Sequence, residues 1–249
     1  HRAFNVALQK RDPQHWRKNV LNMFLSMIGN DARDLKATHV LVTFDGPRTF
    51  RTKIFKGYKG TRTNSETTEV SLRDGGVYVV EGTPGELMKP ARKLLKACGL
   101  TTSQKGDLES DDLQAGAAYS IPGRVILGTR DKDMAACVSD RVAQWWPTEK
   151  KLLGPKDVFK KYGVHPHQMR DYLCLLGDKV DNIPGTPNVG ELTAVKWLTE
   201  FGSIQNALKD PKVGAILRKN ASQLVLARKL VELNTTAKYE LDLLIPQPI

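Results

Sequence analysis

The sequence predicts an α/β fold, a mostly parallel central sheet with flanking helices, followed by a helical C-terminal portion. Three observations carry that prediction. Val40-Leu41-Val42-Thr43-Phe44 is a short unbroken apolar run between polar residues, which suits a strand buried on both faces. A helical stretch from Glu109 to Tyr119 leads into a second such run, Val125-Ile126-Leu127, so helix and strand alternate. From Pro155 onward the pattern is almost wholly helical, which places a boundary near residue 150 between a body at 1–150 and a helical part at 151–249.

In chain order, Trp16, Val20, Leu21, Phe24, Met27 and Ile28 recur at a helical period and predict the first helix. The Val40 strand follows and ends at Asp45. Residues 46 to 62 then contain Arg48, Arg51, Lys53, Lys56, Lys59 and Arg62 with no acid, and Phe50, Phe55 and Tyr58 lie among them. Residues 63 to 85 are polar and Gly-rich around one apolar patch, Val77 to Val80, and carry no assignable period. A long exposed segment of this kind orders on a ligand or stays mobile. A helix near Pro90–Cys98 and a short strand near Leu100 precede the Glu109 helix. Beyond the Val125 strand, helices are expected near Pro155–Tyr162, Pro166–Leu176, Val189–Phe201 and Ser222–Leu233.

At 249 residues the chain can bury one large core or two smaller ones. Lys and Arg outnumber Asp and Glu by 38 to 27, a net charge of +11 that favours a polyanionic partner. Cys98, Cys137 and Cys174 are far apart and form no CxxC pair, which argues against a disulfide framework or a zinc site and for a reducing compartment. No apolar run approaches the roughly 18 residues of a membrane span.

Against that basic background the acids are grouped. Leu108-Glu109-Ser110-Asp111-Asp112-Leu113 puts three carboxylates in four positions where a helix begins. Asp45 and the pair Asp131 and Asp133 lie just past two predicted strand ends, where parallel α/β sheets place their sites. Asp178 and Asp181 stand three apart, on one face if that stretch is helical. Hard divalent cations such as Mg²⁺ take oxygen ligands from a few carboxylates and keep several waters. Two such ions about 4 Å apart can activate a water and stabilise the leaving oxygen of a phosphodiester. Each cluster alone also fits a plainer reading: a solvated turn for Asp131-Lys132-Asp133, surface acids or turn caps for Asp178 and Asp181, a helix-dipole partner for Glu109.

The cationic stretch has a matching role. Arg48, Arg51, Lys53 and Lys56 can neutralise phosphates, and the interleaved aromatics Phe50, Phe55 and Tyr58 can stack on unpaired bases. Asp178-Lys179-Val180-Asp181-Asn182-Ile183-Pro184-Gly185-Thr186-Pro187-Asn188-Val189-Gly190 is rich in residues that tolerate left-handed backbone angles, so it makes a tight hairpin before a helix. Exposed N–H groups at that helix start suit a DNA phosphate.

Together these blocks resemble the 5′-nuclease family: flap endonucleases, phage 5′-exonucleases and the 5′-nuclease domain of bacterial DNA polymerase I. The matching stretches are Phe44-Asp45, Tyr58-Lys59-Gly60-Thr61-Arg62, Glu109-Ser110-Asp111-Asp112, Asp131-Lys132-Asp133 and Gly177 to Gly185. The resemblance implies a PIN-like core and a two-metal enzyme, using Mg²⁺ with Mn²⁺ as a substitute. Such an enzyme cuts DNA near single-strand/duplex junctions, as a 5′-3′ exonuclease and flap endonuclease. It implies that Asp45, Glu109, Asp111, Asp112, Asp131, Asp133, Asp178 and Asp181 are metal-site acids. Lys59 and Arg62 match basic residues at the base of an arch, here about residues 46–90, and Arg2 resembles a phosphate-contacting arginine. Residues 185 to 194 match a helix–hairpin–helix-like duplex clamp that in the family often holds K⁺. Gly185, Asn188, Gly190, Thr193 and Lys196 are the candidate DNA contacts there. A monomer in a bacterial or phage-infected cytoplasm, working with a DNA polymerase, is the implied setting.

Some positions depart from the family's pattern. Asn188 stands for a usual Gly, Leu192 for a usual Lys, and Arg130 for a small residue before the Asp131 motif. The family also carries a first strand ending in Asp, a few residues before the position of His1. The expectation is therefore that the full gene product begins upstream with a short apolar run ending in Asp. A binding-only module of the same fold is the non-enzyme alternative. An RNase of the related small acidic-site type is disfavoured by the long helical C-terminal part.

Overall fold

The computed structural model describes residues 7–8, 14–60, 67–71 and 77–241. They divide into two compact units, one within 1–44, 63–103 and 240–249, the other within 45–62 and 104–239. Arg2, Arg62 and the expected upstream strand lie outside the described residues.

In the first unit, helix α1 (Trp16–Asp34) buries Trp16 and Val20 on one face, as its period predicts. Strand β1 (Leu41–Thr43) pairs in parallel with the later β4 (Thr101–Ser103), Val42 opposite Thr102. Leu41, Val42 and Thr43 are each half-buried rather than covered on both faces. Among the described residues β1 has a partner on one edge only. The stretch left without a period contains an antiparallel pair, β2 (Thr67–Ser71) and β3 (Val77–Glu81). Helix α3 (Met88–Ala97) turns Ala91 and Leu95 onto Phe44 and Leu100, with Phe24, Leu25 and Ile28 of α1 alongside.

The second unit begins with a five-residue helix, α2 (Phe50–Ile54), capped by the Thr49 hydroxyl accepting from the Arg51 N–H. Helix α4 (Ser110–Ser120) follows, and its Gly116 is pressed so closely on the Ala237 carbonyl that a side chain there would overlap it. Strand β5 (Val125–Leu127) pairs in parallel with β6 (Val142–Trp146), and β6 pairs antiparallel with β7 (Lys151–Leu153). Ala115 and Ala118 of α4 pack with Leu127, Met134, Cys137 and Val142.

The helical remainder comprises α5 (Pro155–Tyr162), α6 (Met169–Leu176), α7 (Glu191–Phe201), α8 (Ile204–Ala207), α9 (Pro211–Lys219) and α10 (Ala221–Val231). Pro155 and Pro211 sit in first turns, where a missing N–H costs nothing. Asp210 accepts from the N–H groups of Lys212 and Val213. These helices share one core around Met169, Leu173, Leu175, Leu198, Leu217 and Leu230.

The turn after α6 matters most for the site. Gly177 has φ +69°, and a β-carbon on it would overlap the Gly185 nitrogen; one on Gly185 would overlap the Leu176 carbonyl. The two glycines let the backbones touch while Asp178 and Ile183 exchange hydrogen bonds of 2.9 and 2.7 Å. Gly185→Ala should therefore lower folding stability by about 1–3 kcal/mol through overpacking, read as an earlier midpoint in denaturant. A variant as stable as the parent would mean that the turn relaxes freely.

Candidate metal and nucleic-acid site

The start of α4 carries three of the acids. Glu109 is its N-cap residue, and Asp111 and Asp112 lie in its first turn. Asp45 Oδ1 accepts from the Ser110 N–H at 2.8 Å, and the Gly46 N–H donates to the Leu108 carbonyl at 2.8 Å. Those two bonds hold the carboxylate of Asp45 at the free end of the helix. Past β5, Asp131 Oδ1 accepts from the Asp133 N–H at 3.0 Å, and buried Gln144 donates to the Asp131 carbonyl at 2.8 Å. In the glycine-closed turn, Asp178 Oδ1 accepts from the N–H groups of Val180 and Asp181.

Electrostatics shows which acids share a field. Burial, then the charges of Asp131 and Asp45, push the Asp111 carboxyl up to about 7. Burial, then Asp131, Asp111 and more weakly Asp178, push Asp133 up to about 8. Carboxylates behave this way when several must ionise together without a compensating cation. Two lysines supply part of that charge. Lys132 Nζ lies 2.8 Å from Asp178 Oδ2, and although burial opposes ionisation there, Lys132 keeps the Asp178 carboxyl below its ordinary range. The Lys59 ammonium bonds Glu109 Oε1. Its backbone is held at φ +55°, with its N–H on the Asp181 carbonyl at 3.0 Å, while the Asn182 amide donates to the Gly57 carbonyl at 2.9 Å. Loop 57–59 is thereby fastened to the loop carrying Asp178 and Asp181.

Among the described residues, no three His, Cys, Asp or Glu side chains are already drawn together as a ligand cage. The donor set nonetheless fits a hard divalent cation. Asp45, Asp111, Asp131 and Asp133 offer only oxygen, and Asp111 and Asp133 are raised by burial and then by neighbouring negative charge, both of which a cation would offset.

Two expected DNA contacts are corrected, and one expected metal-site acid is fully engaged by other groups. Asp112 is fully buried, with Oδ2 accepting from Arg51 Nη1 and the Glu109 N–H, and Oδ1 from Arg51 Nη2 and the Asn234 N–H. Both oxygens are committed to these donors in this structure. Arg51 is 2% exposed, its guanidinium spent on Asp112, Glu109 and the carbonyls of Leu230 and Glu232, so it does not reach DNA. Tyr58 is buried in the helical core with its hydroxyl donating to Glu109 Oε2 at 3.1 Å, so it offers no face to a base.

Of the remaining cations, Arg48 and Lys56 are exposed, and Lys53 pairs with Asp107 at 3.0 Å. In the hairpin, Asn188 is exposed at φ +63°, an angle Asn tolerates, so the turn survives without the usual Gly. Gly190 caps α7, with Thr193 half-buried and Lys196 exposed beyond it. Sequence reasoning gave no role to Lys132 or Gln144. Lys132 was legible, standing between two acids; a polar Gln144 inside an apolar strand gave no functional signal.

The model of the N-terminal resolvase-like domain of 5′-3′ exonucleases matches residues 1–163, and that of their C-terminal SAM fold matches 164–245. The chain belongs to the 5′-3′ exonuclease family. It is 32% identical over 240 residues to the 5′-3′ exonuclease of Aquifex aeolicus, across 92% of this chain and 78% of that one. It is 33% identical over 231 residues to DNA polymerase I of Mycobacterium tuberculosis, across 86% of this chain but 24% of the polymerase. The chain thus spans about a quarter of the length of that polymerase. The bacteriophage T5 D15 flap endonuclease, solved with DNA and metal ions, shares the fold at a TM-score of 0.69 and 20% identity, over 93% of this chain and 88% of that one. T5 5′-exonuclease with bound zinc superposes at 0.68 and 22% identity over the same shares. The architecture read from the sequence, an α/β part followed by a helical one, is that of this family. Among the described residues no helix is long and apolar enough to cross a membrane.

Proposed function

We propose that this exonuclease-family chain is a structure-specific 5′ nuclease, hydrolysing DNA phosphodiesters near single-strand/duplex junctions as a 5′-3′ exonuclease and flap endonuclease. The observation that carries the reading is the burial of Asp111 and Asp133 together with the charges of their neighbours, Asp131 for both and Asp45 for Asp111, which raise both carboxyls toward neutrality. These four, with Glu109, Asp178 and Asp181 at the margin, would hold two Mg²⁺ ions, with Mn²⁺ able to substitute. When bound, such ions would supply an activated water and offset charge on the leaving oxygen.

The chain's own residues do the rest. Lys59, fixed by the Asp181 carbonyl, brings an ammonium to the edge of the acid group, where it offsets charge on a reacting phosphate. Arg48 and Lys56 are exposed and neutralise the strand, while Arg62 joins Lys59 at the base of the arch and Arg2 contacts a phosphate. The α7 start at Gly190, with Gly185, Asn188, Thr193 and Lys196, binds the duplex backbone, and the hairpin carbonyls would hold K⁺. Residues 1–150, including an arch at about 46–90, form the catalytic part and 151–249 the duplex-binding part. A DNA polymerase is the expected working partner of a monomer.

Incubating the protein with a 5′-flap DNA and Mg²⁺, against an EDTA control, tests the reading; intact DNA with both Mg²⁺ and Mn²⁺ overturns it. Lys59→Ala should cut the single-turnover rate by about 10²–10³-fold while duplex affinity falls only slightly. If the ammonium were only a phosphate contact, affinity would drop and the salt slope would fall by roughly one unit instead.

A further inference from the structure

Arg130, the cation in place of a small residue before Asp131, is not used by the mechanism above, and the structure gives it company. Its guanidinium carbon lies 4.8 Å from the ring centroid of Trp146, the last residue of β6. Lys161, in the last turn of α5, has its ammonium 3.7 Å from the same centroid and 5.0 Å from that of Tyr162. Two cations therefore share one indole. Arg130 pairs with Glu149 at 2.9 Å, and both side chains remain about half exposed. Lys161 is exposed and makes no ion pair among the described residues.

This arrangement is costly for packing alone. Like charges on one ring repel, and each ammonium or guanidinium held against an aromatic face gives up water, which the ring quadrupole offsets only in part. Glu149 balances one of the two charges. An anion seated beside both turns the repulsion into attraction, and the pair is prearranged to receive it. The place is also specific. Gln144 and Trp146 stand two apart on β6, on one face of the strand. Gln144 grips the Asp131 carbonyl at 2.8 Å, and Arg130 is the residue next to Asp131. The cations thus border the acid group at a fixed step along the same strand.

We propose that Arg130 and Lys161, braced on Trp146, form a phosphate-binding subsite that grips the phosphodiester backbone of the nucleic acid entering the acid site. Trp146 is half-buried beneath two exposed cations, so what the surface presents is charge rather than a stacking face. The ligand class is accordingly the backbone phosphate, read without base specificity. Glu149 is the competing anion, displaced from Arg130 on binding. The inference rests on the nuclease reading for its substrate, but its test does not need cleavage.

The experiment is equilibrium binding of a labelled 5′-flap DNA duplex in EDTA, across a salt series. Arg130→Gln and Lys161→Gln should each weaken binding several-fold and lower the salt slope by about one unit, and the double variant by about two. Arg130→Lys and Lys161→Arg, which keep the charge, should bind like the parent. Glu149→Gln should bind more tightly, because it removes the competing carboxylate. If the folded double variant matches the parent in affinity and slope, or changes only its unfolding temperature, the cations merely pack on Trp146 and the proposal is wrong. Cleavage of the same DNA by the parent with Mg²⁺ decides the nuclease reading separately. A parent that binds but does not cut leaves the subsite to be judged by its salt slope.

Discussion

Arg51→Met should cost the protein about 3–5 kcal/mol of folding stability, the loss seen when one partner of a buried ion pair is removed. Arg51 lies at the meeting point of three segments. Its Nη1 donates to Glu109 Oε2 at 2.8 Å and to Asp112 Oδ2 at 2.7 Å, and its Nη2 to Asp112 Oδ1 at 2.9 Å. Its Nε reaches the Leu230 carbonyl at 2.8 Å and its Nη2 the Glu232 carbonyl at 2.6 Å, which ties the end of α10 to the start of α4. Burial opposes the charge of Asp112, and Arg51 outweighs it, holding that carboxyl below its ordinary range. Without the guanidinium the same carboxylate would be buried unpaired. At roughly 2–4 °C per kcal/mol for a chain of this size, the unfolding temperature should drop by about 6–20 °C. Arg51→Lys should not rescue it, because an ammonium cannot span both carboxylates and two carbonyls. Asp112→Asn in the Arg51→Met background should recover much of the loss, since it removes the stranded charge. A single-variant loss under about 1 kcal/mol would show that water reaches the pair.

The same pair sets an acid limit. A carboxyl with a folded value below its unfolded one stabilises the fold above the unfolded value and loses that contribution as pH falls through the folded one. For Asp112 the unfolded reference is 3.8, so its contribution is intact at neutral pH and fades only in stronger acid. Arg51→Met should remove that acid-side dependence along with the stability.

Arg51 also shows where sequence reading stops. In the chain it is one cation among six in an acid-free stretch, and nothing local separates it from exposed Arg48 or Lys56. Its burial is decided by carboxylates 58 and 61 residues away. Asp111 and Asp112 were indistinguishable for a related reason. Adjacent helical residues point about 100° apart, so one faces the other acids and its neighbour faces Arg51. What was legible depended on period and on position after a strand: the α1 face, the Val125 strand, and acids at the ends of apolar runs. Strands β6 and β7 were missed because neither is an unbroken apolar run: Gln144 interrupts the first and Lys151 opens the second. Helix α9 was missed although Asp210-Pro211 is a cap followed by a first-turn proline. The pocket of about 420 Å³ lined by Phe50, Ile54, Lys229 and Glu232 has no sequence signature, since it joins α2 to the end of α10.

Asp111→Asn and Asp133→Asn should separate the acid group's function from its cost to the fold. Each carboxyl binds its proton more tightly in the folded chain than at its reference value of 3.8, Asp111 near 7 and Asp133 near 8. Between those limits the folded state holds more protons than the unfolded one, so stability declines as pH rises from about 4 toward 8. In EDTA the parent should therefore unfold at a lower temperature at pH 8 than at pH 5. Either Asn variant should flatten that slope and unfold later than the parent at pH 8, because repulsion is relieved. Saturating Mg²⁺ should raise the parent's unfolding temperature most at the higher pH, as binding to the folded state adds stability, and should raise the variants' less. Cleavage should move the opposite way. Outer partners of metal ligands already cost about 10–100-fold when removed, so losing a direct ligand should exceed the upper figure, with DNA affinity in EDTA retained. A double variant that cuts flap DNA as fast as the parent would sink the two-ion reading. A parent whose stability is flat from pH 5 to 8 would show that the four carboxylates do not share a site.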